Sequence, residues 1–127
     1  MTYQIFENKV KSPAIMIGRK QRCRFSLNSL AARIFHSRNV GFVLLLWNEQ
    51  TFGVAMQLST GEDSRAYKLT YGRVLNNQVS GASLSARSFL NHISWKTQTE
   101  KKTMPATWNN KGQILEFLLP MDCLELK

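Results

Sequence analysis

Arg24-Phe25-Ser26-Leu27-Asn28-Ser29-Leu30-Ala31 holds the change of period on which the fold turns. Its first four residues alternate polar with apolar, the pattern of a strand with one wet and one buried face. Asn28 or Ser29 then offers a side-chain oxygen to amides left unpaired in the first turn of a helix. Leu30, Ala31, Ile34 and Phe35 follow at the spacing of one helical face. The pattern predicts a strand leading into a short helix. That helix should stop near His36-Ser37-Arg38-Asn39, where cations suit the negative end of the helix dipole.

Upstream, Ala14-Ile15-Met16-Ile17 is an apolar run ending at Gly18, which reads as a first strand. Arg19-Lys20-Gln21-Arg22 between the two strands is polar and turn-like. Downstream, Val40 to Trp47 is rich in Val, Leu and aromatics, and Phe52 to Leu58 returns after Asn48-Glu49-Gln50-Thr51. Together they predict a hairpin. Ser59 to Ser64, with the acidic pair Glu62-Asp63, reads as a boundary.

Beyond the boundary the order repeats. Ala66 to Tyr71 alternates, with Tyr67, Leu69 and Tyr71 on one face, and Asn76-Asn77 signals a turn before Gln78 to Leu84. Ser85 is the expected cap of a helix with Phe89, Leu90 and Ile93 inward. Thr107-Trp108, the turn Asn109 to Gly112, and Ile114 to Leu119 predict a closing hairpin ended by Pro120. The expectation is a strand-rich α+β fold in a single compact domain over 1–127. Two strand–strand–helix–strand–strand halves, 12–59 and 65–120, would form a small barrel-like or sheet assembly, followed by an acidic-hydrophobic tail, 121–127.

Charge is distributed unevenly. The 127 residues carry a formal net charge of +9, and no Asp or Glu lies between Asn8 and Asn48. Lys9, Lys11, Arg19, Lys20, Arg22, Arg24, Arg33 and Arg38 all fall there. A single-sign field on one segment points to a polyanionic partner. Arginines grip phosphate with paired hydrogen bonds, and Arg22 and Arg24 on one strand would share a face. A solvated face that happens to be basic is the competing reading. A second group, Arg65, Lys68, Arg73, Arg87 and Lys96, lies in another acid-free stretch, Ser64 to Thr99, and reads more readily as scattered surface charge.

The first half resembles the AbrB-like, swapped-hairpin family of bacterial transition-state regulators and antitoxins. The resemblance runs from Ile15 through the basic turn, Arg24-Phe25-Ser26-Leu27 and the Leu30–Phe35 helix to the hairpin ending at Leu58. Arg24 matches an arginine that precedes the family's second strand, and Arg33 matches a helix arginine that faces DNA. Cys23 stands where the family carries glycine, and Asn28 where it carries proline. The resemblance implies a barrel-like sheet assembly whose hairpin strands pair with another copy. A second chain or the second half of this one would supply that copy, making a tandem duplication in the latter case.

Other chemistry has little support. Met1 to Val10 is polar rather than a secretory leader, and Val40 to Trp47 is too short to span a bilayer, so a cytoplasmic protein with reduced Cys23 and Cys123 is expected. His36 and His92 stand alone at helix ends, and no phosphate loop, zinc-ligand spacing or nucleophile elbow occurs. Tyr67 and Tyr71 beside Lys68 suggest a base-stacking platform, with core packing the commoner fate of such rings. The sequence therefore points to a non-catalytic, transcription-regulator-like DNA-binding protein. It would need no cofactor or metal, contact nucleic acid through Arg19, Lys20, Arg22, Arg24, Arg33 and Arg38, and form a homodimer. The alternative is a protein-interaction or structural module whose basic face is only solvated or meets an acidic protein.

Overall fold

Ile15 and Ile17, Phe25 and Leu27, and Leu84 all point inward from short alternating strands and are almost wholly buried. A computed structural model of the chain describes residue 2 and residues 12–18, 23–96 and 101–124. In chain order come β1 (Ala14–Ile17), β2 (Arg24–Leu27), α1 (Ser29–His36), β3 (Phe42–Asn48) and β4 (Gly53–Ser59). Then follow β5 (Tyr67–Lys68), β6 (Thr70–Tyr71), β7 (Val74–Leu75), β8 (Gln78–Val79) and β9 (Ala82–Ser85). The chain continues with α2 (Arg87–His92), β10 (Lys102–Asn109), β11 (Ile114–Leu118) and a 3-10 turn at Met121–Cys123.

Nine strands form one antiparallel sheet in the order β5-β3-β4-β11-β10-β1-β2-β9-β6. Its two edge strands are consecutive in the chain, separated only by the buried Leu69. β5 pairs with β3, β6 pairs with β9, and the Leu69 amide donates to the Gly41 carbonyl at 2.9 Å. The sheet therefore curls until its edges meet, giving a nearly closed barrel filled by the inward faces of its strands. Closure also hides sheet edges that would otherwise template pairing with other chains.

This corrects the expected fold class. Strands take 46% of the described residues and helices 16%, so the architecture is a barrel-like antiparallel sheet with two short helices. The two strand–strand–helix–strand–strand halves do not form separate units. β1 pairs with β10, β2 with β9 and β4 with β11, so strands from either side of the Ser59–Ser64 loop alternate through one sheet. Four short strands in a lone half would leave two unpaired edges and half a core, and cross-pairing removes both deficits.

The helices cover opposite ends of the barrel. β2 ends at Leu27 and feeds α1, which buries Ala31, Ala32 and Phe35 and packs against β1, β2 and β8. Asn28 caps it as expected: Oδ1 accepts from the Ala31 amide at 2.9 Å and from the Ala14 amide at 3.1 Å. Antiparallel to β2, β9 ends at the other rim and feeds α2, whose Phe89 meets Phe25 and Trp47 edge-to-face. Ser85 does not cap α2; Ala86 occupies that position without a side-chain bond, because Ser85 is still in β9 opposite Arg24. The expected Gln78–Leu84 strand breaks at Ser80-Gly81 into β8 and β9. No helix among the described residues is long and apolar enough to cross a membrane.

Candidate nucleic-acid interface

Since β2 turns Phe25 and Leu27 inward, Arg24 and Ser26 face outward. Pairing extends that outer face sideways: Ser26 lies opposite Met16 and Ser83, Met16 opposite Thr103, and Ser83 opposite Thr70. The result is a cross-strand row, Thr103-Met16-Ser26-Ser83-Thr70, of four hydroxyls and one thioether. Arg24 and its partner Ser85 form the adjoining row, both exposed. Arg24 has no hydrogen-bond or ion-pair partner among the described residues.

The described acids lie elsewhere. Glu49 is in the β3–β4 turn, Glu62 and Asp63 follow β4, Glu116 is on β11, and Asp122 follows β11. β1, β2, β6 to β10 and both helices carry none. Among the described residues the barrel thus has an acidic side, β3-β4-β11, Asp122 lies by the exit of α2, and no acid lies in the segments that hold Arg24, Arg33, Arg73 and Arg87.

The six cations expected to act together are only partly gathered. Arg19, Lys20 and Arg22 lie outside the described residues. Arg24 stands at one end of β2, while Arg33 and Arg38 belong to α1 and its exit at the other end. Both helix arginines have structural work. Arg33 donates from Nη2 to Gln78 Oε1 at 3.1 Å, with its Nε buried and lacking an acceptor. Arg38 sets its guanidinium 4.7 Å from the centre of the Trp108 ring and donates from Nη1 to the Ile34 carbonyl at 2.8 Å. Arg33 is half-buried and Arg38 exposed.

In the second basic group, Arg65 is bound through two nitrogens to Asp63, at 3.1 and 3.0 Å. That contact holds the Asp63 carboxyl below its ordinary range. Lys96 donates to the Asp122 carbonyl at 2.8 Å. The aromatic pair is not an open platform. Tyr67 and Tyr71 are half-buried against the core, the Tyr67 hydroxyl bonds that of Ser88 at 3.0 Å, and Tyr71 donates to the Val40 carbonyl. Burial pushes the Tyr71 phenol up to about 12. His36 packs edge-on to Tyr71, with ring centres 5.0 Å apart.

Among the described residues no three His, Cys, Asp or Glu side chains come together as metal ligands, and both cysteines are free of disulfides. On the acidic side, the outer faces of β3, β4, β11 and β10 enclose a groove of about 630 Å³. Leu46, Pro105, Thr107, Glu116 and Leu118 are among its walls. The sequence reading missed the hydroxyl row. Its signal was present in the polar positions of Arg24-Phe25-Ser26-Leu27 and Ser83-Leu84-Ser85, but assembling it needs the register between distant strands. No family model, curated protein or solved structure matches this chain.

Proposed function

We propose that this protein binds duplex DNA without catalysis, as a transcription-regulator-like protein of the cytoplasm that acts as a homodimer. The observation that carries the reading is the segregation of charge. An outer sheet face of small hydroxyls, with Arg24 at its edge, belongs to segments without acids among the described residues. Hydroxyls and arginine are among the side chains that contact phosphate and sugar oxygens. The resemblance adds support at one point. Cys23, standing where the AbrB-like family has glycine, adopts the left-handed conformation that glycine favours, with φ 35°.

In this reading Arg19, Lys20, Arg22 and Arg24 hold phosphates, and Arg33 and Arg38 contribute field from the helix end while serving the fold. The test is a titration of labelled duplex DNA, single-stranded DNA and RNA over a salt series. Neutralising Arg22 and Arg24 together should weaken duplex binding and flatten the log–log salt slope by about 1.8, at roughly 0.9 per phosphate lost. Lys111→Glu, in the turn beside β11, should leave the slope unchanged. Absence of duplex binding near physiological salt would sink the reading. The groove favours the second reading, a protein-interaction module, because Leu46 and Leu118 in its walls are 42% and 64% exposed.

A further inference from the structure

We infer that the β7–β8 hairpin is a reading arm that lies in the major groove of duplex DNA, its tip amides against adenine and Leu75 against a thymine methyl group. This deepens the nucleic-acid reading and rests on it. β7 and β8 prolong β6 and β9 beyond the barrel. The Gly72 amide donates to the Gly81 carbonyl at 2.8 Å, and the Ser80 amide to the Arg73 carbonyl at 2.9 Å. The ribbon's second strand is fixed: Val79 is fully buried, β8 packs on α1, and Gln78, next to the tip turn, is held by Arg33.

Its first strand, β7, is the opposite. Val74 is 46% and Leu75 62% exposed, two adjacent apolar side chains on a two-stranded ribbon outside the main sheet. Asn76 and Asn77 both have positive φ, 52° and 62°, as a tight two-residue turn requires. That turn keeps the ribbon narrow, and a two-stranded ribbon fits a major groove about 12 Å wide. The chemistry matches what the groove displays. An asparagine amide pairs with adenine N6 and N7, and an apolar side chain meets the thymine methyl group. Arg73 stands at the root, Arg33 lies against Gln78 beside the tip turn, and the sequence from Ser64 to Thr99 contains no acid.

A random duplex library, carried through binding selection with the full chain, tests the arm. Wild type is compared with Leu75→Ala and with Asn76→Gly/Asn77→Gly, in which glycine keeps the positive-φ turn. Wild type should enrich a short motif containing A·T pairs. Replacing its thymine with uracil should weaken wild type about fourfold, the worth of one buried methyl group, and leave Leu75→Ala unchanged. The glycine variant should keep the salt slope and lose the motif. If both variants enrich the same motif at wild-type affinity, or wild type prefers single strands, the arm is overturned and the basic face stands. If wild type binds no nucleic acid, the nucleic-acid reading falls and takes the arm with it.

Discussion

Arg38 lies over Trp108, its guanidinium 4.7 Å from the ring centre, while Phe35 meets the same indole edge-to-face at 6.1 Å. A cation expected to meet DNA therefore also seals the end of the barrel where α1 leaves. Arg38→Ala should cost about 1 kcal/mol of stability, from the ring contact and the bond to the Ile34 carbonyl. Urea unfolding followed by tryptophan fluorescence measures it. An unchanged midpoint would show that the stacking contributes nothing.

Asn28 joins three pieces of chain. Its Oδ1 serves Ala31 and Ala14, and its Nδ2 donates to the Ser12 carbonyl at 2.8 Å. Asn28→Ala should lower stability by about 1–2 kcal/mol, the upper range for a helix cap, because β1 loses a tie as well. Asn28→Asp keeps the accepting oxygen and should recover most of that loss. Thermal melts of the two variants decide it; equal melting temperatures would show that the cap is not the source.

Gly81 faces the backbone of β2. A Cβ placed there would sit 3.0 Å from the Leu27 carbonyl oxygen, a backbone atom with little room to retreat. Gly81→Ala should destabilise by about 1–3 kcal/mol through overpacking. Gly41→Ala is the control, since a Cβ there meets nothing within 4 Å. Chemical denaturation should separate them, with Gly41→Ala close to wild type.

Tyr71 sets an alkaline limit. Its phenol is pushed up to about 12 by burial, against an ordinary value near 10. Between those values the folded state keeps a proton that the unfolded state has lost. The contribution is complete below about pH 10 and disappears as pH rises through about 12. Tyrosinate absorbance should show one late-titrating phenol that is missing in Tyr71→Phe. That variant's stability should also fall less between pH 10 and 12. A wild-type protein whose tyrosines all titrate near 10 would refute the assignment.

Local order was legible and long-range pairing was not. β1, β2, α1 and the β3–β4 hairpin follow from alternation, from Asn28 and from helical spacing, all contained within a few residues. The partnership of Ser26 with Ser83, or of Ala14 with Pro105, has no local signature, so the sheet's closure and the hydroxyl row stayed hidden. The candidate cations were readable as charge. That Arg33 and Arg38 also bind Gln78 and Trp108 depends on what α1 packs against, which composition does not record. Ser85 was misread as a cap because Ser is favoured at both strand ends and helix starts, and its pairing with Arg24 decides between them.

The pairing of β1 with β10 has a consequence during synthesis. A ribosome releases Ala14 long before Pro105 exists, so the first strand waits without the neighbour on its β10 side while most of the chain is made. The β1–β2 pair, the β3–β4 hairpin, the β7–β8 ribbon and the helices can form from what has already emerged, but the barrel cannot close. Folding should therefore be slow for a chain of this size and completed after translation. A protein truncated before β11 would lack the strand that joins β4 to β10, and should be degraded rather than accumulate as a half-barrel.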